Sequence, residues 1–353
     1  MILPGGLNRG WQTASIMLAF VVFMPLLVLS LSWLSINQDV WAHMASTLLP
    51  DVIFNTFVLL LGVSIGVLLL GISLAWLTSM CEFPGRKFFD WALMLPFAMP
   101  AYVLAFVFLG LMDFSGPVQS SLRTLLNLPG NWFIEVRNAY GVIFVMVLVL
   151  YPYVYMLARV AFLSQGQSVF DAGRSLGLSP FQAFYKVALP MARPGIVAGL
   201  SLALMEALAD FGAVAVFNYD TFTTAIYKAW FGFFDLQAAA QLATLLLALV
   251  LIALTIERYL RGRSRFDENR SNRWRRIQLT GQKKWWVTFY CSLVFSMAFL
   301  MPLVQLVLWA WESRMDIDER YIDLFWHTFI LGLSAAVLTV IGAFILAYNR
   351  RLH

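Results

Sequence analysis

Apolar residues dominate this chain in long runs, and the polar residues collect in the short stretches between them. A run of about twenty apolar residues crosses a hydrocarbon layer of about 30 Å as a helix. Inside lipid the backbone must satisfy its own hydrogen bonds, so such runs are helical. The pattern predicts eight spans, at about 13–35, 52–79, 88–112, 139–163, 194–217, 236–258, 285–311 and 325–348. Strict alternation of apolar and polar positions is absent, which argues against an outer-membrane barrel. The expected fold is all-α, a polytopic membrane protein with about eight transmembrane helices. The first run is too long for a cleaved signal peptide, has only Arg9 before it and is followed by no small-x-small site, so it is expected to remain.

Composition sharpens this picture. The chain is 61% hydrophobic and 12% charged, against about a quarter charged in soluble domains. Of its 24 lysines and arginines, only Arg123, Arg137, Lys228, Arg314 and Arg320 fall on one side of the predicted spans. The other side carries the remaining 19, counting Arg159 at a helix end. By the positive-inside rule, both ends of the chain are expected in the cytoplasm. That orientation also puts the loop at 164–193 there. Cys81 and Cys291 lie in different segments, so a disulfide between them is not expected, and His43, His327 and His353 show no ligand spacing.

An internal repeat is legible. Thr56-Phe57, Leu61 and Leu74-Ala75-Trp76 find Thr328-Phe329, Leu333 and Leu346-Ala347-Tyr348 at a displacement of 272 residues, and Met24-Pro25-Leu26 matches Met301-Pro302-Leu303. Chance likeness between two apolar helices is the competing explanation, but the ordered recurrence favours a duplicated unit. The expected organisation is a first six-span unit at 1–258, a linker at 259–284, and the first two spans of an incomplete second unit at 285–353. The linker carries nine basic residues from Arg261 to Lys284. Its place between two spans favours an anchor on anionic lipid over a nucleic-acid site. The second copy halts after Arg350-Arg351-Leu352-His353, which implies the front part of a longer two-unit protein or a truncated product.

The polar segment between the fourth and fifth runs holds the most specific pattern. Asp171-Ala172-Gly173 is followed after three residues by Gly177, after nine more by Val187, and then by Leu189-Pro190. Phe170 to Leu176 suits a short helix, with Ser168 as N-cap and Asp171 favoured by the helix dipole. Gly177 permits a sharp reversal, and Ser179-Pro180 starts a second helix. That helix has an apolar face of Phe181, Phe184, Val187 and Ala188 and is expected to end at Leu189-Pro190, before Pro194 opens the next span. An interfacial helix lying on lipid is the plainer alternative.

This spacing resembles the cytoplasmic coupling loop of permease subunits in binding-protein-dependent (type I) ABC importers, Glu-Ala-Ala, three residues, Gly, nine residues, Ile, one residue, Leu-Pro. Asp replaces Glu, Gly replaces the second Ala and Val replaces Ile. Tyr151-Pro152-Tyr153-Val154-Tyr155-Met156-Leu157-Ala158-Arg159 and Met205 to Gly212 are similar to the fused two-unit ferric-iron permeases of that group. Thiamine permeases share the fused architecture, and polyamine, sulfate and molybdate permeases share the loop. The resemblance implies an inner-membrane permease that works by alternating access. Its implied partners are cytoplasmic ATPase subunits and a periplasmic substrate-binding protein. Asp171, Ala172, Gly173, Gly177, Val187, Leu189 and Pro190 would couple it to the ATPase.

Other candidates come from the residues themselves. Glu206 and Asp210, spaced i and i+4, are expected on one helix face. Carboxylates at membrane depth usually face a bundle interior or a water path, so the pair marks a translocation pathway for a cationic cargo or else a structural bond between helices. Pro96 and Pro100 are expected to kink the third span, and Pro152 the fourth. Pro117 to Leu128 suits a short amphipathic helix outside, beside loops that suit a soluble binding protein or serve as plain connectors. No phosphate-binding Gly-x-x-x-x-Gly-Lys-Ser/Thr loop occurs, so ATP and Mg are expected only through the partner ATPase. No catalytic residue, bound cofactor, metal site or nucleic-acid partner is expected of this chain. An ion-coupled carrier is the alternative from another class, although it has no use for the coupling loop.

Overall fold

Eight helices long and apolar enough to cross a membrane are present among the described residues of the computed structural model, which covers residues 5–35, 38–164, 177, 179–261, 276–313 and 319–352. Contacts divide the chain into two packing units, Met1–Ile36 with Val307–His353, and Asn37–Leu306.

In the first unit α1 (Gly5–Leu31) packs along α15 (Glu319–Leu352). Trp11 sits 4.7 Å from the Tyr348 ring and 6.2 Å from Phe344. None of the apolar window of α15 is buried within the chain, so its surface is left to lipid or to protein outside the chain.

The second unit is built around α7 (Ala139–Ser164), whose apolar window is 72% buried. Two helices approach it closely for one reason. Gly62 and Gly66 of α3 (Leu49–Met80) face Ile143 and Val147 of α7, and a Cβ on Gly62 would lie 2.6 Å from Ile143. Gly195 and Gly199 of α9 (Leu189–Ala209) meet α7 at Leu157 and Tyr153, where a Cβ on Gly199 would lie 2.8 Å from the Tyr153 carbonyl. Both pairs have Gly-x-x-x-Gly spacing, which lets helix backbones touch in lipid where hydrophobic driving force is lacking.

Two predicted spans need correction. The third, expected as one kinked helix over 88–112, is broken into α4 (Arg86–Ala92), a 3-10 turn (Leu95–Ala98) and α5 (Ala101–Met112). Pro96 and Pro100 supply no N–H, and Met99 before Pro100 is extended, as a residue before proline prefers. Tyr151 of α7 donates to the Leu93 carbonyl at 2.9 Å and satisfies a group near the break. Pro152, by contrast, lies inside α7, which continues past it to Ser164.

The fifth span, expected over 194–217, begins earlier and ends sooner. From Pro180 the helix runs without interruption through α8 (Pro180–Ala183), a π turn (Phe184–Ala188) and α9. The expected stop at Leu189-Pro190 is absent. A wide π turn just before Pro190 relieves the clash of its ring with the preceding turn and accommodates its missing N–H. The span then ends at Ala209, and α10 (Gly212–Val216) starts after a break at Asp210-Phe211.

Shorter elements complete this unit. α2 (Gln38–Thr47) precedes α3, and α6 (Pro117–Leu125) forms where an amphipathic helix is expected. Two further helices follow α10, namely α11 (Phe222–Tyr227) and α12 (Leu236–Arg261). The basic linker returns as β2 (Ile277–Gln278), paired in parallel with β1 (Cys81–Glu82). α13 (Gln282–Phe295) then leads through a π turn to α14 (Met301–Glu312). α13 packs on α3 and α4: Tyr290 Oη is 2.7 Å from Ser73 Oγ, Thr288 donates to the Pro84 carbonyl at 3.0 Å, and Phe295 stacks edge-on to Phe88.

Candidate functional site

The two helix breaks meet at one cavity of about 250 Å³. Its wall comprises Phe97, Met99, Pro100, Ala101 and Tyr102 from the third span, Met146, Val149, Leu150 and Tyr153 from α7, and Glu206 and Asp210 from the fifth. Broken backbone is tolerated at membrane depth where it lines a cavity or is covered by protein, and both breaks here do so.

Glu206 and Asp210 therefore share a site, but not as one helix face. Asp210 has left the helix with extended backbone (φ −68°, ψ 128°), while its N–H still reaches the Glu206 carbonyl at 3.0 Å. Its Oδ1 accepts the amides of Ala213 at 2.9 Å and Val214 at 3.3 Å, capping α10. Glu206 is the more exposed of the two. Behind the break, Thr223 of α11 donates to the Asp210 carbonyl at 2.7 Å. The rings of Phe211, Tyr227 and Phe231 then follow one another at 4.9 Å steps away from the cavity. Opposite, the Phe97 ring stands edge-on to Tyr153 at 4.6 Å. The chamber has carboxylate and phenol oxygens on an aromatic and thioether wall, and no lysine or arginine among the described residues lines it.

Away from the cavity, a second polar centre binds α4 to α7. Arg159 Nε and Nη2 each donate to an Asp90 carboxylate oxygen at 2.7 Å, a bidentate pair. Tyr155 Oη lies 3.0 Å from the Asp90 carbonyl and 3.2 Å from Thr78 Oγ1. Sequence reasoning counted Arg159 as a helix-end cation and missed this partner. The Gly-x-x-x-Gly pairs were missed too, although their spacing alone is a usable signal.

Of the predicted coupling residues, Asp171, Ala172 and Gly173 lie outside the described residues. Gly177 adopts φ +79°, with nothing among the described residues within 4 Å of where a Cβ would stand. The glycine is thus required by backbone conformation and not by crowding. Ser179 and Gln182 close a reciprocal cap, Gln182 N to Ser179 Oγ at 3.3 Å and Ser179 N to Gln182 Oε1 at 3.0 Å, with Pro180 at the first helical position. Val187 and Leu189 are half-buried and Pro190 is exposed. Phe184 packs 4.6 Å from Trp76 and 6.2 Å from Phe162, fastening this segment to α3 and α7. Pro180 to Ala209 forms one rod of about 45 Å, with the coupling residues from Val187 to Pro190 near one end and Glu206 near the other.

A family model described as "Binding-protein-dependent transport system inner membrane component" matches residues 67–265. The Fe(3+)-transport system permease protein FbpB 2 of Haemophilus influenzae is 27% identical over 303 residues, 84% of this chain. The chain spans 56% of the length of that relative. The sulfate permease protein CysT of Escherichia coli is 28% identical over 67% of this chain and 87% of its own length. The molybdenum permease protein ModB of Escherichia coli is 29% identical over 55% of this chain and 86% of its own length. Among solved structures, a bacterial ABC transporter that imports alginate aligns with TM-score 0.55 and 16% identity, over 72% of this chain and 98% of that one. A bacterial alginate transporter in complex with a pentasaccharide-bound periplasmic protein aligns with TM-score 0.57 and 15% identity, over 73% of this chain and 96% of that one. At these identities the likeness is one of fold.

Proposed function

Because the chain belongs to the inner membrane components of binding-protein-dependent transport systems, we propose that it moves a cationic cargo, ferric iron first among candidates, through the chamber at Glu206 and Asp210. A periplasmic binding protein delivers the cargo, and a separate ATPase subunit hydrolyses ATP and Mg-bound phosphate chemistry stays with that subunit. The ATPase engages the segment around Gly177 on the side of the membrane that carries the basic linker, which is the cytoplasm. Movement there travels along the Pro180–Ala209 rod to the break at Asp210 and alternately opens the chamber to either side.

The observation that carries the cargo assignment is the chamber's lining, two carboxylates with no lysine or arginine among the described residues. Hard oxygen donors suit a hard cation, and an oxyanion meets only repulsion from them. The extent of likeness to the iron permease of Haemophilus influenzae supports the same choice. Likeness to sulfate and molybdenum permeases supports an anion as the second reading.

Uptake of radiolabelled iron, sulfate and molybdate by host cells lacking this chain, restored with wild type or with Glu206→Gln, tests the assignment. Iron uptake is expected to return with wild type and to fall at least tenfold with the variant, at equal membrane abundance. Restoration of sulfate or molybdate uptake with no effect on iron overturns it.

A further inference from the structure

We infer that the start of α13 is a seat for one anionic phospholipid, held by its acyl chain in a tryptophan groove and by its headgroup on Lys283 and Lys284. The groove has a volume of about 370 Å³ and is lined by Gln282, Trp285, Trp286 and Phe289. Its aromatic rings are exposed, Trp286 to 68%, and Phe289 stands edge-on to Trp286 at 6.2 Å. Two adjacent rings and a third one turn on form a wall suited to an acyl chain, not to a polar solute.

Position fixes the depth. These residues open the membrane-crossing segment Gln282–Glu312, so they stand where hydrocarbon gives way to headgroups, the layer that tryptophan prefers. Charge fixes the headgroup. Lys283 is exposed, and Lys284 lies with its Nζ 5.8 Å from the Trp285 ring centroid. No carboxylate among the described residues forms an ion pair with either lysine. Arg276, by contrast, is drawn to Glu82 at 3.8 Å and is not counted in the site. Lys283 and Lys284 adjoin the groove in sequence, between its lining residues Gln282 and Trp285, and complement a phosphodiester above an acyl chain. This reading depends on membrane insertion alone and not on the cargo.

The test is native mass spectrometry of the purified full chain in detergent, titrated with phosphatidylglycerol or phosphatidylcholine of matched chains. Wild type is expected to retain one phosphatidylglycerol in preference to phosphatidylcholine. A basic residue near an anionic surface contributes a factor of about five in binding, so Lys283→Gln/Lys284→Gln is expected to reduce that preference about thirty-fold. Trp286→Ala is expected to weaken retention of both lipids and leave the preference intact. Arg263→Gln/Arg265→Gln/Arg270→Gln, which strips charge from the linker, is expected to change neither. Size-exclusion profiles matching wild type show that each variant is folded. Equal retention of the two lipids by wild type overturns the inference, as does a preference that survives the lysine variant or vanishes with the linker variant. A stoichiometric protein bound in place of lipid also overturns it.

Discussion

Asp210 does two things that a substitution can separate. Its Oδ1 caps α10, and its charge sits at the wall of the chamber. Asn keeps the accepting oxygen and loses the charge, while Ala loses both. Asp210→Asn is therefore expected to leave thermal unfolding in detergent nearly unchanged and to lower iron uptake, if the chamber carries a cation. Asp210→Ala is expected to cost a further ~1 kcal/mol of stability, as lost caps do. Equal destabilisation by both would assign the charge a structural role. Asp90 and Arg159 invite a parallel argument. The pair is bidentate but its side chains retain 28% and 21% exposure, so its value lies between a surface pair and a buried one. Asp90→Asn is expected to cost about 1–3 kcal/mol, and Arg159→Lys to lose the second hydrogen bond without restoring the first fully. Thermal unfolding measures both. The sequence marks Glu206 and Asp210 as candidates, because carboxylates are rare in apolar runs. It does not show the partner of Arg159, because Asp90 is 69 residues away and nothing local marks the pairing.

At the scale of elements, apolar run length locates the spans other than the third and the fifth, whose internal breaks are not legible from it. Pro96 and Pro100 were read as a kink because one proline bends a helix that neighbours can still support. Two prolines four residues apart remove too many bonds for one helix to persist, and the tyrosine that answers a freed carbonyl comes from another span. Conversely, Pro190 was read as a stop, yet the π turn at Phe184–Ala188 carries the helix through it. The continuous rod gives Gly177 its importance, since the glycine is the turn from which the rod departs. With φ +79° and open space around it, Gly177→Ala is expected to cost only ~1 kcal/mol of backbone strain. Gly177→Trp adds bulk where the proposed ATPase seats. Co-purification of the ATPase is expected to survive the alanine variant and fail with tryptophan, while membrane insertion is normal in both. Docking that tolerates tryptophan would remove this turn from the interface.

Across the whole molecule, the repeat legible in the sequence and the packing in the structure meet in an unexpected way. A displacement of 272 residues carries α3 onto α15, and the Met-Pro-Leu match carries α1 onto the stretch from α13 to α14. Taken as a duplicated unit, each copy would be expected to pack its own first helix against its own second. Instead α1 lies along α15, and α13 lies along α3 and α4. Each first helix thus accompanies the second helix of the other copy. The parallel pairing of β1 with β2 and the Tyr290–Ser73 hydrogen bond hold one of these exchanges in place. No periodicity or composition reveals such an exchange, because an apolar helix reads the same whichever helix it accompanies. Paired cysteines with a short bifunctional thiol reagent test it in native membranes, where Cys81 and Cys291 are buried. Cysteines at Trp11 and Tyr348, and separately at Ser73 and Tyr290, are expected to cross-link within one chain. Tyr290→Phe is expected to cost ~1 kcal/mol, the worth of one hydrogen bond, and to leave the Trp11–Tyr348 cross-link unchanged. Loss of the Trp11–Tyr348 cross-link in native membranes would overturn the pairing of α1 with α15 and leave the repeat as a likeness of sequence alone.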